Sequence, residues 1–306
     1  MRLCLSAVLF CLAYMGCASQ AAAQKVMQVR WKSAHTSPPV KLGGSAGDWL
    51  PAFRLALQTL PEASIVALSL SQPQMLGLSP GDAAKLQHLS AERYTLMTGD
   101  TVFQRAPTAL PYCYSETKPT EGLATVYLPK AVTADTPTIV FLHGSGGSFL
   151  WCLHVLVEAF PEAVIVCPAY GMSTGSIPAA YVKEALAKTA TVTQAPLKNP
   201  VLIGLSAGGF GACKVYVEAP QDWKRLLCLA AYAPDTVLTR FAPGMDICFL
   251  SGAREDFVAS GYFNRGVQQA RGRGAQVRSH LMPDSGHFFL LEKREETLKV
   301  LKEWVK

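Results

Sequence analysis

The chain of 306 residues is 50% hydrophobic and 16% charged, with a formal net charge of +6. That balance fits a folded protein with a well-buried core and excludes an intrinsically disordered one. The densest basic group, ARGRGAQVR at Ala270 to Arg278, has no interleaved aromatic residues, so it reads as a solvated face and argues against nucleic-acid binding.

The opening, MRLCLSAVLFCLAYMGCASQAAAQ, has one positive charge, an apolar stretch from Leu3 to Met15, and then small residues. This is the layout of a signal peptide over residues 1–23 and predicts a secreted or periplasmic protein. The apolar stretch falls short of the roughly 20 residues that span a bilayer, so no stable transmembrane segment is expected. Small residues stand where cleavage after Ala18 or Ala23 requires them. Cys17 after Gly16 also permits a lipoprotein anchor, although Tyr14 occupies a position where a bacterial lipobox usually has Leu. Three of the nine cysteines lie in this leader. Of the remaining six, Cys167, Cys228 and Cys248 fall in apolar strand-like runs, where a free thiol behaves as a small buried hydrophobe. Export permits a disulfide, with Cys113 and Cys152 as the candidate pair, and no CxxC or Cys/His spacing suggests a metal.

Residues 24–97 form an N-terminal extension without a recognisable motif. It contains a predicted helix from Asp48 (WLPAFRLALQTL), a strand-like run ASIVALSLS, and a second helix opened by Ser79 and Pro80 at the N-cap and N1 positions. An extension packed on the main domain is the simpler reading, since a segment of this size is small for folding alone.

From about Thr120 the texture changes. Short apolar runs (GLATVYL, TPTIVFL, AVIVCPAY, NPVLIGL, RLLCLAAYAP, DICFLSG, AQVRSHL) alternate with helix-like segments from SFLWCLHVLVEAF to EKREETLKVLKEWVK. Strands joined by helix-length connections imply right-handed crossovers and a mostly parallel sheet covered on both faces. In such sheets, sites form at the carboxyl ends of the strands.

One such end carries VLIGLSAGGFGA, Val201 to Ala212, a serine hemmed in by glycines. A phosphate cradle is excluded by Phe210 and Gly211, which stand where a P-loop needs Lys and Ser/Thr. In HGSGGSF, Phe149 stands where a dinucleotide fingerprint needs its last Gly, which weakens that reading. The remaining readings are a tight packing turn with an idle serine, or a strand-to-helix elbow presenting Ser206 as a nucleophile with Gly204 and Gly208 as the small flanking residues.

A serine nucleophile needs a base and a carboxylate to orient it. His35 and His88 lie in the extension, His154 in an apolar helix, His280 within a strand, and His143 in the HG turn. His287, in PDSGHFFLL between the last strand and the last helix, remains. For the carboxylate, Asp256 in GAREDF follows a strand at its carboxyl end and is the expected partner. Asp235 comes next and Glu255 third; Asp284 is so near His287 that it reads as a turn former.

With these motifs assembled, the sequence resembles the α/β-hydrolases. LHGSGG follows the third strand, GLSAGGFGA forms the elbow, and GAREDF and SGHFF complete the order Ser, Asp, His over roughly Thr98 to Lys306. The resemblance implies an α/β-hydrolase fold over residues 98–306, with helices on both faces of a mostly parallel sheet. No large cap insertion is expected, because only about Pro234 to Met245 joins the sixth and seventh strands. It implies a triad of Ser206, His287 and Asp256, an oxyanion hole from the backbone N–H groups of Ala207 and Ser145, a structural His143, and no metal or cofactor.

Within the superfamily the chain is similar to small secreted esterases of the phospholipase/carboxylesterase-like, dienelactone-hydrolase-like and feruloyl-esterase or polyester-depolymerase-like kinds. Hydrolysis of a small-molecule or polymer-borne carboxylic ester is therefore the expected activity. The elbow continuation GGFGA is also similar to the GGY of prolyl-oligopeptidase-like peptidases, which makes a peptidase the second reading. A fold that lost activity and only binds is the third. Phe149, Trp151, Tyr170, Phe210, Phe257 and Phe288 lie near the motif loops, as candidate pocket lining or as ordinary core.

Overall fold

Mostly apolar strands, joined from β3 onward largely through helices, form one sheet of eight in the order β1-β2-β4-β3-β5-β6-β7-β8. The computed structural model describes residues 23–41, 45–73 and 78–306. The leader through Ala22, with Cys17 and the cleavage position after Ala18, lies outside the described residues.

The chain enters the sheet through β1 (Lys25–Lys32), a strand that the motif-based reading of the extension does not contain. Its alternation is plain in hindsight: Val29 and Trp31 are buried while Arg30 and Lys32 are exposed, the pattern of an edge strand with one wet face. Three helices follow, α1 (Ser45–Thr59), α2 (Glu62–Leu70) and α3 (Pro80–Gly99), and then a single turn, α4 (Leu110–Cys113). The start of α3 is as expected, with Ser79 Oγ accepting the Asp82 N–H at 3.0 Å and Pro80 at N1. The run ASIVALSLS is a correction, because it is the helix α2 and not a strand. Ile65, Val66 and Leu70 are buried while Leu68 on the opposite side is exposed, and the neighbouring helices decide the outcome where the local apolar run is ambiguous.

β2 (Glu121–Leu128) runs antiparallel to β1 and to β4. From there the order alternates: β3 (Thr138–Leu142), α5 (Leu150–Ala159), β4 (Val164–Ala169), α6 (Ala179–Thr193), β5 (Val201–Leu205), α7 (Ala207–Glu218) and β6 (Arg225–Leu229). One turn, α8 (Asp235–Leu238), is all the helix that joins β6 to β7 (Asp246–Gly252), so no cap is inserted there. α9 (Asp256–Ala259), α10 (Tyr262–Gly272), β8 (Gln276–Met282), α11 (Phe289–Glu292) and α12 (Arg294–Val305) complete the chain. Strands β3 to β8 are mutually parallel.

Alternation along each strand feeds two cores. Val140, Leu142 and Leu202 face the layer of α6, α7 and α10, where Tyr181, Tyr216 and Phe263 are buried. Ile139, Phe141 and Ile203 face the layer of α5 and α12, with Leu153, Leu156, Leu301 and Trp304. The extension joins the second layer through Val66, Leu70, Ala83, Tyr94 and Met97. Phe53 and Leu57 of α1 close a smaller core with Ile65, Leu110 and Tyr114. Each such side chain removed from water contributes roughly 1.5 to 3 kcal/mol, so the extension is bound to the main sheet by burial as well as by β1. Cys113 and Cys152 are both buried free thiols, so the candidate disulfide between them is absent.

Candidate active site

The site is assembled from four loops at the carboxyl ends of β3, β5, β7 and β8. The β5–α7 turn holds Ser206 at φ +55° and ψ −123°, a conformation that a residue with a side chain adopts only when its surroundings enforce it. The Ser206 N–H donates to Leu229 O at 2.8 Å, and Ser206 O accepts the Gly209 N–H at 2.8 Å. A Cβ at Gly204 would lie 2.2 Å from Gly208 O, and one at Gly208 would lie 2.1 Å from Leu142 O. Strand and helix therefore pass too closely for any side chain at those two positions, which is the steric reason for the small residues flanking the serine.

His287 follows β8. Its Nε2 lies 3.0 Å from Ser206 Oγ, and its Nδ1 lies 2.9 Å from a carboxylate. That carboxylate is Glu255, not Asp256. Glu255 is buried and sits at the N-cap of α9, while Asp256 is the first residue of that helix and points into solvent. At that place a negative charge favours the helix N-terminus without touching His287. Asp235 pairs with Arg265 at 3.2 Å, and Asp284, at φ +54°, pairs with Arg254 at 2.9 Å, both exposed. The β7 and β8 loops are fastened together by main-chain bonds, Ala253 N–H to Met282 O and Arg254 N–H to Ser285 O, each 2.9 Å. Glu255 is thereby held at fixed reach of His287.

His143 is fully buried, its Nδ1 2.8 Å from Gly144 O and its Nε2 accepting the Tyr170 N–H at 3.4 Å. Burial drives its pKa down to about 4, with the bond to Gly144 opposing the shift, so the ring is neutral and holds the loop. The Thr174 hydroxyl secures the same residue by donating to His143 O at 2.5 Å. This loop brings Gly144 and Ser145 to the cleft that Ser206 and His287 also line. Ala207, the first residue of α7, carries an N–H with no intrahelical acceptor.

No family model matches the sequence, and no curated protein does. Solved structures do match. An esterase of the fungus Rhizomucor miehei aligns with a TM-score of 0.51 at 14% identity, over 60% of this chain and 79% of that one. Carboxyl esterase 2 of the mycorrhizal fungus Tuber melanosporum aligns with a TM-score of 0.50 at 11% identity, over 61% of this chain and 81% of that one. A thermostable esterase aligns at 0.49 and 16% identity, over 60% of this chain, which spans only 58% of that longer one. The chain has the α/β-hydrolase fold. The loop after β3 lies beside the β5–α7 turn: a Cβ at Gly144 would come 3.2 Å from that of Ser206.

The cleft beside the serine is a cavity of about 230 Å³. Phe149, Trp151 and Phe288 line it, whereas Tyr170, Phe210 and Phe257 pack against the opposite core. Sequence reasoning overlooked a further residue, Glu62 of α2, which is buried beneath this loop. Its carboxylate accepts the Leu150 N–H at 2.6 Å and the Tyr94 hydroxyl at 2.8 Å, and also bonds the Thr108 hydroxyl. Only its placement after Pro61 at a helix start marked it in the sequence. Among the described residues no three His, Cys, Asp or Glu side chains converge to hold a metal ion, and no helix is long and apolar enough to cross a membrane.

Proposed function

We propose that the protein is a serine hydrolase that cleaves carboxylic esters through an acyl-enzyme. Ser206 Oγ passes its proton to His287 Nε2 and bonds to the ester carbonyl carbon, whose second C–O bond pair moves onto oxygen. Backbone N–H groups of Ala207 and Ser145 meet that negative charge, each worth roughly 3 kcal/mol in the transition state. The intermediate collapses by breaking the bond to the alkoxy oxygen, which departs as the alcohol with the proton from His287. Water then repeats the sequence on the acyl-enzyme, giving its proton to His287 and releasing the acid as Ser206 regains a proton. Glu255 touches no reacting atom. It is a positioning residue that fixes the imidazole tautomer and favours the imidazolium that forms.

The observation that carries this reading is the hydrogen-bonded chain Glu255–His287–Ser206, at 2.9 and 3.0 Å, ending on a serine at φ +55°. The structural neighbours named as esterases support it. Ester is favoured over peptide because, among the described residues, no carboxylate, lysine or arginine lines the cleft. The leader-like opening supports export, which N-terminal sequencing of the natural protein tests.

Incubation with a fluorophosphonate, followed by intact mass and adduct mapping, tests the nucleophile. One adduct on Ser206, absent from Ser206→Ala, is expected; a folded protein that takes none sinks the assignment and favours a binding role. Paired ester and peptide substrates separate the two hydrolase readings, and a strong preference for peptides would overturn the choice of ester.

A further inference from the structure

The cavity at Ser206 has walls from two sources. Phe149, Trp151 and Leu290 come from the loops and helices of the hydrolase sheet, and Val66, Leu70 and Leu86 come from α2 and α3 of the extension. The wall from the extension includes two hydroxyls, and both already have acceptors. Ser69 donates to Ile65 O at 2.8 Å and Ser90 to Gln87 O at 3.2 Å, so each satisfies itself on its own helix. The rest of this wall is hydrocarbon, which rewards an apolar ligand and penalises a charged one.

The helices that form this wall are pinned. Glu62 bonds the N–H of Leu150, the first residue of α5, immediately after the loop beside Ser206. Arg93, almost wholly buried, pairs with Glu158 of α5 at 2.7 Å, and Lys85 pairs with Glu292 of α11 at 2.5 Å. Tyr114 donates to Gly146 O at 2.9 Å from the other side. Three separate polar ties and a shared core make this a fixed wall rather than a flap.

We propose, resting on the ester-hydrolase reading above, that the extension is a built-in cap whose inner face forms an acyl pocket, and that the substrates are esters of medium-length fatty acids. With about 30 Å³ as the liquid-volume share of one water-sized group, a cavity of about 230 Å³ has room for roughly six to eight such groups, the size of a medium-length acyl chain. Each methylene that enters strengthens transition-state binding about two- to fourfold until the pocket is full. Because α2 and α3 are already tied in place, activity on dissolved esters needs no lipid surface.

The test is kcat/KM of the whole mature chain on p-nitrophenyl acetate, butyrate, hexanoate, octanoate, decanoate and palmitate, below their solubility limits. A rise of at least about tenfold from acetate to an optimum at hexanoate or octanoate, and a fall by palmitate, is expected. Leu86→Trp, which fills the far wall, lowers the octanoate-to-acetate ratio by about tenfold or more. Leu70→Ala, which enlarges it, moves the optimum to longer chains and answers the question should the tryptophan variant fail to fold. An optimum at acetate, or both variants leaving the ratios unmoved, overturns the pocket while leaving the hydrolase reading intact. No turnover of any ester together with no phosphonate adduct on Ser206 overturns both.

Discussion

The loops at the carboxyl edge of the sheet and the helices that cover them do neighbouring jobs under different constraints. At the edge, a hydroxyl, an imidazole and a carboxylate meet at 2.9 and 3.0 Å, and the proposed chemistry needs those residue types there. In the cover, Val66, Leu70 and Leu86 need only be apolar and about the right size. Chemistry that tolerates no substitution leaves motifs, and packing that tolerates many leaves only composition and periodicity. The contrast also separates the two regions experimentally: changes at the edge should abolish turnover with little cost in stability, and changes in the cover should alter stability and chain-length preference first.

The largest effect belongs to Ser206→Ala, for which kcat is expected to fall by about 10⁴-fold or more, measured on a short-chain ester. Next come the adjacent acids. Glu255→Gln lowers kcat by about 10²- to 10⁴-fold, because the amide removes the charge that stabilises the imidazolium and permits the wrong tautomer. Asp256→Asn, exposed and without contact to His287, changes kcat by about twofold or less, in line with other surface substitutions. Glu255→Asp falls between them, its carboxylate one methylene short. Equal losses in Glu255→Gln and Asp256→Asn would mean that the loop shifts in solution and that the comparison drawn above is wrong.

The pair Glu255 and Asp256 also shows where sequence reading stopped. The elbow at Ser206 and the loop carrying His287 were legible because steric and chemical demands left one candidate each. The carboxylate was not, since two acids side by side in GAREDF differ only in direction and length. Direction is set by the helix α9, whose first residue is Asp256, and by main-chain bonds from Ala253 and Arg254 that orient the preceding loop. Strands β3 to β7 were readable because parallel strands are buried on both faces and run almost wholly apolar. β1 escaped because its edge position mixes charge with alternation, and α2 was misread because a nine-residue apolar run has no period to betray it.

In the cover, Glu62 is the residue whose loss should be felt most. Glu62→Ala removes the acceptor for the Leu150 N–H and the Tyr94 and Thr108 hydroxyls at once, leaving buried donors without partners. A destabilisation of about 2 to 4 kcal/mol in urea unfolding is expected, larger than for any single apolar-to-smaller change on the exposed side of α2. Glu62→Gln should cost much less. Its carbonyl oxygen can accept from Leu150 and Tyr94, and its NH₂ can donate to the Thr108 hydroxyl, as a protonated carboxyl would.

That near-equivalence makes the smallest prediction, on pH, a sharp one. Burial raises the Glu62 pKa from 4.5 to about 7, against the opposing pull of its hydrogen bonds from Thr108, Tyr94 and Leu150. The native state therefore holds this proton more tightly than the unfolded chain does, and the associated stability is complete below about pH 4.5 and lost as pH rises to about 7. His143 and His154 behave in the opposite sense. Burial, aided at His154 by Arg93, lowers each from 6.5 to about 4, so their stability is complete above about pH 6.5 and lost as pH falls to about 4. Between about pH 4.5 and 6.5 the acid and the two imidazoles oppose each other. The groups around Glu62 do not enter this balance, because burial raises Tyr94, Cys113 and Cys152 and keeps them neutral throughout. Glu62→Gln deletes the carboxyl slope and leaves the histidines, so its urea midpoint should fall more steeply than that of the parent as pH drops from 6.5 to 4.5. Parallel profiles would mean that Glu62 ionises as an ordinary carboxylate, and that water reaches the joint between the cap and the loop beside Ser206.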